Sequence, residues 1–165
     1  MTLMATIPEL MACAVLRKID NGLEPDELEL RLMYALPRFE TWVANELPGL
    51  ESTWDIETSP EEQLAQYLDD FVAGEALLVG RQFRTLNHIS AGIWELKMAD
   101  LRVFGWFPAK DCFIAVSGHW TEHVKRHNLY HGLAREAERE RDQLALDHPK
   151  FVPGEDPNDV VSNYR

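Results

Sequence analysis

The sequence predicts an α+β fold: a small twisted antiparallel sheet of three or more strands with helices packed on it, preceded by a helical N-terminal extension. Three observations lead there. Residues 93–117 hold three apolar, β-prone runs separated by short polar breaks. Ser59-Pro60-Glu61-Glu62 opens a helix ahead of them, and amphipathic stretches lie on either side.

The first run, about 93–98, alternates Trp94, Leu96 and Met98 with Ile93, Glu95 and Lys97, the two-residue period of a half-buried strand. Ala99-Asp100 is short enough for a hairpin turn. The second run, about 101–107, puts Leu101, Val103 and Phe107 on one face and Arg102, Phe104 and Trp106 on the other. Residues 108–111 form a turn, because Pro108 fixes φ and Asp111 bonds its own backbone. The third run, about 112–117, is apolar until Ser117, and an antiparallel meander follows. Arg102 is the discordant residue, a permanent cation in an apolar strand. The common use of such an Arg is as a solvated edge residue or salt-bridge partner. Its functional use is a guanidinium fixed on a sheet and aimed at phosphate or carboxylate.

Taken in order, residues 7–19 read as a short helix with Leu10, Met11, Val15 and Leu16 on one side, stopped by Gly22. From 26 to about 47, Leu28, Leu32, Met33, Leu36, Phe39, Trp42 and Val43 recur at spacings of three and four, an amphipathic helix kinked at Pro37. Residues 50–60 are a linker. The helix after it has Ser59 as N-cap with Glu62 completing a capping box, and carries Leu64, Tyr67, Leu68 and Phe71 inward. Gly74 stops it, and residues 76–86 read as another helix. Beyond the sheet, Asn128 caps a helix over about 129–146 whose outer face is mixed charge. Residues 148–165 read as an extended tail. The organisation is therefore 1–58, an acidic helical extension; 60–147, a compact module; and 148–165, a C-terminal tail.

The chain has 165 residues and a net charge of −12. It carries no run of 18 apolar residues, so no membrane span or membrane partner is expected. The first twenty residues lack the basic start of a signal peptide, and Cys13 and Cys112 lack motif spacing, which points to the cytoplasm. Charge is unevenly spread. Residues 1–80 hold four basic groups (Arg17, Lys18, Arg31, Arg38) against sixteen acidic ones, whereas residues 81–150 hold eleven against nine and all six histidines. Overall acidity therefore does not exclude a nucleic-acid partner.

The order helix, helix, meander, helix over residues 60–147 resembles the RelE/HigB-like toxin superfamily, the mRNA endonucleases of bacterial toxin–antitoxin pairs. The residues that carry this are Leu86, Gly92, Trp94-Glu95-Leu96-Lys97, Leu101-Arg102-Val103, and Gly118 followed by Lys125-Arg126. The resemblance implies an RNA endonuclease, acting on mRNA at the ribosome or on free RNA by attack of the ribose 2′-OH. It assigns Arg102 to the scissile phosphate and offers His123, Lys125, Arg126, His127 and Tyr130 as further catalytic candidates. Lys97, Arg84, His119 and Trp120 are the RNA-binding candidates. RNA or the ribosome and a cognate antitoxin are the implied partners, and no cofactor is implied. The chain departs from the family pattern in its diluted basic run, its acidic N-terminal half and its tail. A non-catalytic member of the same fold, of prophage origin and binding protein or nucleic acid, is the alternative.

Several of these residues have other uses. His119, His123, His127 and His131 are spaced by four, the spacing at which helical histidines share a metal, but Gly118 and Asn128 interrupt the run and no metal is expected. Trp106 and Trp120 can stack on bases, yet packing is the commoner role of such residues. Residues 1–58 either screen the Arg102 face as an attenuating segment, or extend the core on the other side or form a homodimer interface.

Overall fold

The computed structural model describes residues 4–165; residues 1–3, the start of the segment read for a signal peptide, lie outside the described residues. The elements are α1 (Ile7–Ala12), β1 (Arg17–Lys18), β2 (Leu32–Ala35), α2 (Pro37–Glu46), α3 (Pro60–Ala73), β3 (Phe83–Thr85), β4 (Ile93–Lys97), β5 (Leu101–Ala109), β6 (Cys112–Trp120), α4 (Thr121–Arg126), α5 (Tyr130–Gln143) and α6 (Pro157–Val160). They form an α+β fold on one open, mixed sheet in the order β1-β2-β6-β5-β4-β3.

The antiparallel meander β4-β5-β6 sits in its middle. The sheet around it is wider than the alternation predicts. β2 joins β6 in parallel, Leu32 opposite Cys112 through Ala35 opposite Ala115. β3 adds the other edge through Phe83 opposite Leu96. Both faces are covered, so β4 is buried on both sides rather than half-buried. On one face α2, α3 and the tail enclose Trp94, Leu96, Leu101, Val103, Phe107 and Phe113. On the other, α1, α4 and α5 enclose Ile93, Phe104, Trp106, Ile114 and Val116. Gly105 is required where β5 meets β6, because a Cβ there would run into the carbonyl oxygen of Ile114.

Three helices predicted in the sequence are replaced. Residues 7–19 are helical only to Ala12, since Ala14 turns left-handed at φ 59° and the chain enters β1. Residues 26–47 form a loop, then β2, then α2. Pro37 disfavours helical geometry at the residue before it, so Leu36 is extended (ψ 153°) and Pro37 starts the helix instead of kinking it. Residues 76–86 are a loop ending in β3; Gly80 takes φ 82°, and Leu77 bridges to Tyr164.

Helix α3 is as predicted. Ser59 caps it, Glu62 closes the box, and Gly74 ends it at φ 83°. Its apolar face buries Phe71 completely, a contribution of about 1.5–3 kcal/mol for such a side chain. The C-terminal tail is packed, not free. Val160 and Val161 are buried, Asp111 N donates to Val160 O, and Val79 N donates to Arg165 O. Residues 1–58 supply β1 and β2 to the sheet, while Thr53 hydrogen-bonds Asp100 in the β4–β5 turn.

Candidate functional site

Cross-strand partners share a face, so the register aligns side chains into rungs. One rung runs Arg84 (β3), Glu95 (β4), Phe104 (β5), Ser117 (β6). The next runs Lys97 (β4), Arg102 (β5), His119 (β6). Six of the eight buried side-chain polar atoms without a hydrogen-bond partner among the described residues lie on these two rungs: Arg84 Nε, both Glu95 oxygens, Arg102 Nε, Ser117 Oγ and His119 Nε2. Buried polar groups are ordinarily paired, so such a concentration marks a site.

Glu95 is fully buried, with Arg84 Nη2 2.8 Å from its Oε1 but not aligned as a hydrogen bond. Burial raises the Glu95 carboxyl above its ordinary value, against the pull of Arg84, Arg102 and Lys97. The Arg84 guanidinium also lies over the Tyr130 ring, 5.1 Å from its centre, and Tyr130 packs on Phe104. Lys97 is pushed down by burial and by the like charges of Arg102, Arg84 and Lys125, with only Glu95 opposing them. Its Nζ donates to Gly80 O at 2.7 Å.

Arg102 is 5% exposed. Its Nη1 donates to the carbonyls of Met98 and Leu101 and to Thr121 Oγ1, which ties the β4–β5 turn to the start of α4. The turn is held further by Asp100, which accepts from Thr53 and Gln63. Burial raises the Asp100 carboxyl, but the hydrogen bonds from Ser52, Gln63 and Thr53 outweigh it and the net shift is downward. Arg102 and Lys97 border a cleft of about 580 Å³ whose lining also includes Ile56, Gln63, Tyr67, Asp70, Arg81 and Gln82.

The sequence candidates therefore fall into two groups. Arg84, Lys97, Arg102, Lys125 and Tyr130 come together on the β3–β5 side. His123, Arg126, His127 and Trp120 lie on the other side of α4, around a separate depression of about 220 Å³ that also takes in Glu122 and Thr53. The helical period explains the split, because Thr121 and Lys125 share one side of α4 while His123 and His127 share another. His123 and His127 meet edge to face with ring centres 4.7 Å apart, and Arg126 pairs with Glu122. His119 belongs to the second rung and contacts Phe104 edge-on. Burial lowers its imidazole to about 4, so it is neutral at pH 7. Burial pushes the Cys112 thiol up to about 12, which makes it an inert core residue. Among the described residues no group of three or more His, Cys, Asp or Glu is placed to hold a metal ion, and no helix is long and apolar enough to cross a membrane.

Glu95 and Ser117 carry sequence signals that alternation does reveal: each sits at a strand position facing the same side as Phe104. Thr121, Arg38 and Trp42 carry none, because their roles depend on where α4 and α2 dock. Comparison with protein-family models, curated proteins and solved structures finds no match to this chain.

Proposed function

We propose that this chain is a RelE/HigB-like RNA endonuclease whose phosphate-binding face is formed by Arg84, Lys97, Lys125 and Tyr130 over a base of Arg102 and Glu95. The observation that carries the reading is the pair of polar rungs, where four cations gather around unpartnered buried atoms in a protein of net charge −12. Cations that close repel one another, and a phosphodiester is the ligand that offsets them. Arg84 is fixed by Glu95 beneath it and Tyr130 above it, so its guanidinium is oriented before RNA arrives. Arg102 acts as the positioning residue that sets Thr121, and with it Lys125, against the sheet.

The cleavage reaction is attack of a ribose 2′-oxygen on the adjacent phosphorus. The 2′-proton leaves to a base, negative charge develops on the equatorial oxygens, and the 5′-oxygen departs with a proton. Arg84, Lys97 and Lys125 stabilise that charge. His119, buried and neutral at pH 7, takes no part in this step, and solvent water accepts the 2′-proton.

A second reading, a non-catalytic RNA-binding member of the same fold, draws on two placements. His123 and His127 stand apart from the cationic group, and Arg102 Nη1 is spent on structural bonds. One assay separates the readings. Purified protein is incubated with labelled single-stranded RNA, with and without ribosomes, alongside RNA carrying one 2′-deoxy residue at the cleavage position. Cleavage blocked by the deoxy residue and abolished in Arg84→Ala/Lys125→Ala supports the endonuclease. RNA binding without cleavage in either setting supports the binder. Neither binding nor cleavage overturns both.

A further inference from the structure

The cleft bordered by Arg102 and Lys97 also holds groups that the phosphate-binding face leaves unused. Helix α3 brings Gln63, Gln66 and Asp70 to it, residues at spacings of three and four and so on one side of the helix, beside the apolar stripe of Leu64, Leu68 and Phe71. The loop before β3 brings Arg81 and Gln82. We propose that this cleft receives one unpaired guanine, with its N1–H and N2–H on the Asp70 carboxylate and its O6 and N7 on the Arg81 guanidinium. The proposal deepens the RNA reading and rests on it for the source of that base.

Asp70 and Arg81 bring opposite charges to one cleft, yet no ion pair among the described residues joins them. Asp70 Oδ1 accepts from Gln66 Nε2 at 2.9 Å, which orients the carboxylate, and Oδ2 has no hydrogen-bond partner among the described residues. Arg81 is exposed, and its guanidinium has none either. A phosphate suits Arg81 but is repelled by Asp70, and a metal ion has the opposite preference. A neutral ring that presents donors beside acceptors satisfies both side chains. Among the four RNA bases, guanine alone sets two N–H donors side by side and two acceptors next to them. A carboxylate takes both donors and keeps its bond from Gln66, since its two oxygens hold about four lone-pair sites. Arginine is the usual partner of O6 and N7.

The loop that carries Arg81 is fixed on both sides. Tyr67 Oη donates to Gln82 O at 2.7 Å, and Lys97 Nζ donates to Gly80 O at 2.7 Å. Leu78 N donates to Gln82 Oε1 at 2.8 Å. The loop is thereby tied to α3 and to β4 before any ligand arrives, which lowers the cost of ordering it on binding. Ile56 and Met98 add apolar lining for the faces of a ring, and about 580 Å³ lies within the roughly 300–1,000 Å³ of small-molecule sites. Lys97 belongs both to this lining and to the phosphate-binding face, so a nucleotide whose phosphate meets Lys97 has its base beside the cleft.

The test measures binding of the full chain to short labelled oligouridines that carry one central guanosine, inosine, adenosine or cytidine, and to GMP and AMP. The guanosine oligomer is expected to bind about tenfold tighter than all-uridine RNA, and inosine, which lacks the 2-amino donor, to lose most of that gain. Asp70→Asn and Arg81→Ala each remove most of the guanosine preference without lowering Tm, because asparagine keeps an acceptor for Gln66 and the Arg81 side chain has no partner to lose. GMP that competes with guanosine RNA identifies the RNA base as the occupant; GMP binding without RNA binding identifies a free guanine nucleotide. Equal affinity for the guanosine, adenosine and uridine oligomers together with equal binding of GMP and AMP overturns the inference. So does a guanosine preference that survives intact in either folded variant. The two readings fail separately: guanosine preference without RNA cleavage removes the endonuclease and keeps the cleft, whereas RNA cleavage without any base preference does the reverse.

Discussion

Arg31 and Arg102 are both buried arginines on this sheet, and the difference between them separates structure from function. Arg31, 2% exposed beside β2, donates Nη1 to Phe71 O at 3.0 Å and Nη2 to Glu75 O and Asn163 O at 2.7 and 2.8 Å. Its Nε lies 3.7 Å from Asp111, and its plane rests over the Phe71 ring. Every part of that guanidinium has a partner, so it acts as a staple joining α3, the loop after it and the C-terminal tail to β2. Arg102 is buried almost as deeply, yet its Nε has no partner and no carboxylate among the described residues reaches ion-pair distance. Its neighbours include Lys97, another cation. Arg102 thus ties the β4–β5 turn to Thr121 through Nη1 alone, and its charge is left without a carboxylate partner beside Lys97.

The largest expected effect breaks or upholds that contrast directly. Arg31→Met should cost about 3–5 kcal/mol, because it strands three carbonyls and Asp111 in the interior. Arg102→Met should cost less, about 1–3 kcal/mol, since only Nη1 is in use. Urea unfolding of both variants measures it. A loss for Arg102→Met equal to or above that of Arg31→Met would mean both residues are staples. The folded fraction of Arg31→Met should bind RNA as the parent does.

Next in size is the pH dependence of stability. The folded Glu95 carboxyl sits above its ordinary 4.5, so from 4.5 upward through that raised value the folded state holds more protons than the unfolded. Stability therefore falls as pH rises across that window. His119 has the opposite sign. It is lowered from 6.5 to about 4, so the unfolded state binds more protons between those values and stability is lost as pH drops through them. Glu95→Gln should flatten the loss above 4.5 and be at least as stable as the parent at pH 7, while His119→Gln should flatten the loss below 6.5. Urea midpoints from about pH 4 to 8 test this, and a Glu95→Gln variant markedly weaker at pH 7 would show that the carboxylate is a needed partner of Arg84.

How much of this was legible in sequence depends on what each segment buries. The meander was readable because Leu101, Val103 and Phe107 alternate with Arg102, Phe104 and Trp106, and those two sets do face opposite sides of the sheet. Helix α3 announced itself through Ser59, Glu62 and Gly74. Residues 26–47 misled because Leu28, Leu32, Leu36 and Phe39 satisfy helical spacing, while Leu28 and Leu30 are exposed in a loop. The contrary signals were the unbroken apolar run from Leu32 to Leu36, typical of a parallel strand covered on both faces, and Pro37 directly after it. Residues 76–86 and the tail are held by pairing with each other, a long-range fact that no local period expresses. At the site, Arg102 drew attention through its charge, and its register placed Lys97 and His119 beside it. The histidines at 123 and 127 did not follow, because α4 begins at Thr121 and turns them to its other side.

The smallest effect is also the most direct test of a phosphate-binding face at Arg84, Lys97 and Lys125. Affinity for a single-stranded RNA is measured from about 50 to about 300 mM salt for the parent and for Lys97→Ala/Lys125→Ala. Each lysine that no longer neutralises a phosphate reduces the slope of log affinity against log salt by about 0.7, so the double variant should be shallower by about 1.4. His123→Ala/His127→Ala, on the far side of α4, should keep the parent slope. A double-lysine variant with an unchanged slope, or a histidine variant with the shallower one, would contradict the assignment of the phosphate to this face.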